Sequence, residues 1–210
     1  MTPEITINGC PYSLSSYKVD FFGTPIDVTV TSSSSVVRKW IRTTLFLRRD
    51  YIGRLVVGVG VQWTPWNGNE PPPDTLQLCV GTRCLIFRLS LATTVPLILR
   101  RFLLDRDNTF VGIWNGSDEK KLRMSEHELR LHRLLDLRRY ISTDYGGSLA
   151  RASVERIVEE CLGYEGVRLE KDISMSDWGN EDLSYEQILQ ACVDAYVAFE
   201  IGKNLRAWEL

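Results

Sequence analysis

The 210-residue sequence predicts an α/β domain with a mixed sheet packed by helices. Three observations carry that reading. The first ninety or so residues read as β-hairpins on either side of one apolar strand. From residue 93 helical and strand patterns alternate, an order that places antiparallel and parallel strands in one sheet with helices on its faces. The hydrophobic share of 44% suits a chain of this length burying one core, so residues 1–210 are read as a single domain.

Taken in order, Tyr17–Thr31 holds Val-Asp-Phe-Phe-Gly-Thr-Pro-Ile-Asp-Val-Thr-Val, β-formers around a Gly-Thr-Pro turn. This is a hairpin that extends the domain at its N-terminal side. Ser32–Ser35 supplies caps for a short amphipathic helix over Val36–Phe46. Arg54–Trp63 has too many consecutive apolar residues for an edge and reads as a buried strand. In Thr64–Asp74 the residues Pro65, Gly68, Pro71, Pro72 and Pro73 forbid regular structure. Thr75–Val80 and Cys84–Leu89 form a second hairpin across Gly81-Thr82-Arg83. Then follow a helix over Thr94–Leu104, a strand over Thr109–Trp114, a helix over Ser117–Leu131 and a short strand over Leu134–Leu137. Val154–Cys161 is helical, and Glu186–Leu205 is a long final helix with apolar residues near every third or fourth place.

The net charge of −2 gives no global basic field, so contact with nucleic acid requires a local patch. No apolar run reaches the roughly 18 residues that span a bilayer, and Met1–Gly9 does not read as a basic-then-apolar leader. Cys10, Cys79, Cys84, Cys161 and Cys192 are scattered, odd in number and without a Cys-x-x-Cys pair. That usage fits reduced thiols in the nucleus or cytoplasm. Cys79 and Cys84 flank a hairpin turn and read as buried small hydrophobes facing across strands. His127 and His132, five residues apart, fall on different faces of a helix and do not form a metal pair.

Four stretches carry a family resemblance. Val-Val-Gly-Val-Gly-Val-Gln-Trp (Val56–Trp63), followed by Thr64-Pro65, resembles the first catalytic strand of the Werner-type 3′–5′ exonucleases of the DEDD superfamily. Thr75–Leu89 resembles the hairpin that follows that strand. Phe110-Val-Gly-Ile-Trp-Asn-Gly-Ser-Asp-Glu-Lys-Lys-Leu122 resembles the strand-turn-helix carrying the third acid, here Asp118. Ser176-Asp-Trp178, Leu183 and Gln187–Tyr196 resemble the last motif, whose acid is Asp194. The resemblance runs from about residue 17 onward, is nearest to the plant branch of Werner-like proteins, and implies the ribonuclease H-like fold.

It also implies a chemistry. Such enzymes cleave phosphodiesters with two divalent ions about 4 Å apart, one activating water and one steadying the leaving oxygen. Mg²⁺ and Mn²⁺ require oxygen ligands, supplied by four carboxylates. In this sequence the first two acidic positions hold Gly60 and Gln62, and the water-orienting position holds Gln190 instead of Tyr. Gly60 offers no ligand and Gln62 only a neutral one, which leaves Asp118 and Asp194 to hold at most one ion weakly. Weak or absent hydrolysis is the expectation. Each acid has a plain alternative: Asp118 as the cap of the helix it begins, Asp194 as a paired acid at the core edge.

The expected ligand is single-stranded RNA or DNA. Trp63, Trp66 and Trp114 fall near strand ends bordering the cleft. Trp66, in the Pro-rich loop, is the candidate for stacking on a base. Lys120, Lys121 and Arg123 open a basic stretch that continues through Arg130, Arg133, Arg138 and Arg139, interleaved with Glu119, Glu126, Glu128 and Asp136. It reads either as a salt-bridged helix face or as a phosphate-contacting patch. Two further readings stay open. An active exonuclease would borrow ligands from Glu119, Glu126, Asp136, Asp177 or a neighbouring subunit. A bare scaffold would serve protein contact; the binding form itself would take single-stranded ends, or act as a subunit in a homo-oligomer or beside an active relative.

Overall fold

The structure is a computed structural model describing residues 4–7, 15–51, 53–66, 70–143 and 145–210, with backbone alone for 4–7 and 15. Cys10 therefore lies outside the described residues, and the stretch Met1–Gly9 is described only at 4–7. Eight strands form one sheet: β1 (Glu4–Ile7), β2 (Ser15–Phe21), β3 (Thr24–Thr31), β4 (Leu55–Gln62), β5 (Thr75–Val80), β6 (Arg83–Arg88), β7 (Asn108–Gly112) and β8 (Leu134–Asp136). Their order is β1-β2-β3-β6-β5-β4-β7-β8. Strands β4 to β6 pair antiparallel, whereas β4, β7 and β8 run parallel to one another. The helices are α1 (Ser34–Leu47), α2 (Leu97–Leu104), α3 (Asp118–Met124), α4 (Val154–Leu162), α5 (Lys171–Ser174) and α6 (Tyr185–Asn204). This is the mixed α/β sheet the sequence predicts.

The core is set by β4 and α6. Every residue of β5 is buried, as are five of the six in β6. On α6 the small residues Ala191, Ala195 and Gly202 let the helix lie close on the sheet. Gly58 is the tightest point: a Cβ there would stand 1.9 Å from the Ala195 carbonyl oxygen. Only glycine allows that approach. The start of α6 is fixed by a capping box, in which Ser184 accepts from Gln187 N–H and the Gln187 side chain accepts from Ser184 N–H.

Several elements differ from expectation for local reasons. The first hairpin turns at Phe22 and Gly23, both at positive φ, and Pro25 lies within β3 opposite Asp20. Two consecutive left-handed residues give the twist that a two-residue hairpin turn needs. The serine run does not cap α1: Ser33 makes no side-chain cap bond, and the Ser34 hydroxyl bonds to Thr94 instead. Helix α2 begins after Pro96, which holds the extended conformation ahead of the first turn. The largest difference is α3, which stops at Met124 and not at Leu131. Ser125 turns its hydroxyl back to the Leu122 carbonyl, and Glu128 takes a left-handed conformation. The chain then reverses to bury Leu129 and Leu131. Residues 120–139 are thus not one helical face, and the helix face proposed for the basic stretch does not form.

Candidate functional site

The carboxyl ends of β4 and β7 open on a cavity of about 250 Å³. Its lining includes Gly60, Gln62, Trp63, Trp114, Asp118, Glu155, Gln190 and Asp194. The alternation of β4 sends Gly58, Gly60 and Gln62 to the face covered by α6. Asp118 opens α3 just beyond β7, and Asp194 stands midway along α6. The sequence-predicted Asp118, Asp194, Gly60, Gln62 and Gln190 therefore share one cavity.

Asp118 is 6% exposed, and its pKa is pushed up to about 7. Burial is the main cause and the Asp194 carboxylate adds to it, while Lys121 pulls the other way. Asp194 is likewise raised to about 7, by burial and then by Glu155, against a hydrogen bond from Gln62. In that bond Gln62 Nε2 donates to Asp194 Oδ2 at 3.2 Å. The Gln62 amide thus turns a donor toward the acid, the opposite of what a cation needs there. Gln190 Nε2 donates to the Ser174 hydroxyl at 2.5 Å.

Gly60 has a neighbour that the sequence did not reveal. Gln77, its cross-strand partner on β5, is fully buried and donates to Thr75 Oγ1 at 2.6 Å. Its Oε1 accepts no hydrogen bond among the described residues and would stand 2.8 Å from a Cβ at position 60. Gln77 therefore occupies space that a longer side chain at Gly60 would need. Among the described residues no three His, Cys, Asp or Glu side chains converge as a metal would require. With one amide N–H turned toward Asp194 and no side chain at Gly60, the donors present do not fit a two-ion centre.

The proposed substitute acids are elsewhere. Asp136 is spent on Arg138, which contacts both of its oxygens at 3.0 and 2.5 Å. Asp177 accepts from the Thr64 hydroxyl and Gly179 N–H. Glu119 lines a different cavity with Asp136 and Arg139, and Glu126 is exposed. The acid that does line the pocket is Glu155, at the start of α4, with Oε1 accepting from Leu169 N–H at 3.2 Å. No local pattern singles it out, because it lies 93 residues beyond Gln62 and no motif surrounds it.

The basic residues and tryptophans also separate. Lys120 Nζ bonds to Glu70 at 2.6 Å, and Lys121 Nζ bonds to the Pro71 carbonyl at 2.7 Å. Lys121 is 5% exposed and lies 4.2 Å from the Trp63 ring centroid. These two lysines hold the Pro-rich loop and do not present free ammonium groups; Arg123 is exposed. Trp66 is 76% exposed on that loop. Trp114 is 51% exposed and takes φ +58°, a left-handed conformation that costs a bulky residue about 1–2 kcal/mol. His127 Nε2 bonds to the Leu89 carbonyl oxygen, apart from His132. Cys79 and Cys84 are register partners, both buried and free, with burial pushing the Cys79 thiol up.

The fold is the ribonuclease H-like fold of 3′–5′ exonuclease domains. The chain is similar to the catalytic core of RRP6 from Trypanosoma brucei, with a TM-score of 0.68, 13% identity and coverage of 86% of this chain and 46% of that one. It is also similar to the Nibbler EXO domain of Aedes aegypti, with a TM-score of 0.63, 17% identity and coverage of 81% and 84%. Among curated proteins it is similar to the bifunctional 3′-5′ exonuclease/ATP-dependent helicase WRN of Mus musculus, at 28% identity over 171 residues, covering 76% of this chain and 12% of that protein. The chain spans between 12% and 47% of the length of the curated relatives it matches. No family profile matches it. Among the described residues no helix is long and apolar enough to cross a membrane.

Proposed function

We propose that this chain is a nucleic-acid-binding member of the 3′–5′ exonuclease family in which phosphodiester hydrolysis is weak or lost. The observation that carries this is the pairing at the end of β4: Gly60 provides no ligand, and Gln62 donates an N–H to Asp194. A carboxylate at either position would recruit a cation; the amide N–H in its place takes up one Asp194 oxygen by a hydrogen bond and brings no negative charge to hold a metal. Asp118 and Asp194 remain the pair that would hold a single Mg²⁺ or Mn²⁺ weakly. The ligand of this reading is a single strand of RNA or DNA, bound by one domain in the nucleus or cytoplasm, alone, as a homo-oligomer or beside an active relative. The resemblance to the plant branch belongs to the same reading.

One observation favours a second reading, an active enzyme with an altered ligand set. Glu155 lines the same cavity and acts electrostatically on Asp194. The two readings separate when a 3′-labelled single-stranded oligonucleotide is incubated with the protein and Mn²⁺ or Mg²⁺. Binding without loss of label supports the first. Loss of label that vanishes in Asp118→Ala, Asp194→Ala and Glu155→Gln establishes the second. Gly60→Asp with Gln62→Glu is expected to restore cleavage only when Gln77→Ala is added, because Gln77 fills the adjoining space.

A further inference from the structure

Trp114 combines three features that packing alone does not require. Its backbone is held at φ +58°, where a large side chain is disfavoured. Its indole Nε1 donates to the Ala152 carbonyl at 3.0 Å, which fixes the ring in plane. The Arg138 guanidinium lies 3.5 Å over the ring centroid. Arg138 is itself locked, with two bonds to the Asp136 side chain and one from Nη1 to the Ala150 carbonyl at 2.9 Å. One indole face and one edge are thus committed, yet half of the residue stays exposed where it lines the cavity of Asp118 and Asp194. Among the described residues no second cation and no other ring stacks on the indole, so its second face has no such partner. Backbone strain that several surrounding contacts hold in place clusters at binding and active sites, and here it falls on a cavity rim.

The chemistry of that face selects its ligand. A guanidinium on one side draws on the negative charge of the ring, so a second cation on the other side is disfavoured. A flat, neutral heterocycle is favoured. The flanking charge completes the picture. Arg151 lies between the two residues whose carbonyls fix Arg138 and Trp114. It is exposed and makes no ion pair among the described residues.

We propose that Trp114, clamped by Arg138 and Ala152, is a rigid platform on which the terminal nucleobase of a single strand stacks, with Arg151 taking the phosphate behind it. This rests on the nucleic-acid-binding reading given above and assigns the stacking role to Trp114 instead of the loop residue Trp66.

The test is fluorescence anisotropy with two 5′-labelled single-stranded probes, one intact and one lacking only its 3′-terminal base, each as DNA and as RNA. Trp114→Gly suits the left-handed backbone and is expected to fold; Trp114→Phe retains a stacking face. The intact probe is expected to bind Trp114→Gly roughly 5- to 150-fold more weakly than the unaltered protein, Trp114→Phe falling between. The probe without its terminal base is expected to bind both proteins alike. Arg151→Gln is expected to weaken both probes and to flatten the salt dependence. Unchanged binding of the intact probe by Trp114→Gly would overturn the platform while leaving nucleic-acid binding intact, as would an equal loss on both probes. Absence of binding by the unaltered protein at low salt would overturn the parent reading and the platform with it.

Discussion

The two halves of β4 use glycine for opposite reasons. At Gly58 the missing side chain is demanded by backbone: the Ala195 carbonyl and the Phe199 N–H would collide with any Cβ. At Gly60 the nearest obstacle is the tip of one side chain, Gln77 Oε1. The first half is frame and cannot vary while α6 stays in place. The second is site, and its glycine is kept by a neighbour that can itself be changed. A protein of this fold can therefore hold its architecture tightly while its chemistry drifts, within three residues of one strand.

The sharpest break in that comparison is Gly58→Val. It is expected to cost about 3 kcal/mol or more, seen as insoluble protein or a large fall in the urea midpoint. A tolerated valine would show that α6 does not lie where described. Next comes pH. Asp118 and Asp194 are both held above the ordinary carboxylate value of 3.8, at about 7. Between about pH 4 and pH 7 the folded chain keeps protons that the unfolded chain has released. Unfolding free energy therefore falls as pH rises through that window. Asp118→Asn or Asp194→Asn, each unable to ionise, is expected to flatten the fall by roughly 1–3 kcal/mol in denaturant melts with chelator present. Identical pH profiles for the variants would remove the case for two strained acids.

A smaller effect tests the site half of β4. Gly60→Ala is expected to cost about 1 kcal/mol, and the cost to shrink when Gln77→Ala is combined with it, a coupling a double-mutant cycle measures. Additive changes would mean that Gln77 does not fill the Gly60 space. The smallest effect is Lys120→Ala. The Lys120–Glu70 pair is exposed and screened by solvent, so its loss is expected to leave the denaturation midpoint nearly unchanged. Hydrogen exchange of Thr64 and the loop after it is then the sensitive measurement.

Most strands were legible because β-branched residues and turn signals mark them locally, as in Leu55–Gln62 and Thr75–Val80. The end of α3 was not. Ser125, Glu126 and His127 are tolerable in a helix, and what stops them is the burial of Leu129 and Leu131, a tertiary demand. In the site, Asp118 and Asp194 were found through their motifs. Gln77 was missed because a lone polar residue in a strand reads as solvent-facing, and its burial depends on a helix more than a hundred residues later. The strain at Trp114 is a backbone property with no composition signal. Lys120 and Lys121 looked like phosphate ligands because the sequence does not show that Glu70 and Pro71 come to them.

Helix α6 follows in the chain every strand it covers, and it contacts β4, β5, β6 and β7. Until it arrives, the groove at Gly58 and the apolar faces of those strands have no cover. The molecule is thus one of high contact order, whose central sheet must wait for distant sequence before it gains its main stabilising partner. Its rate of folding, as well as its final stability, depends on that seam.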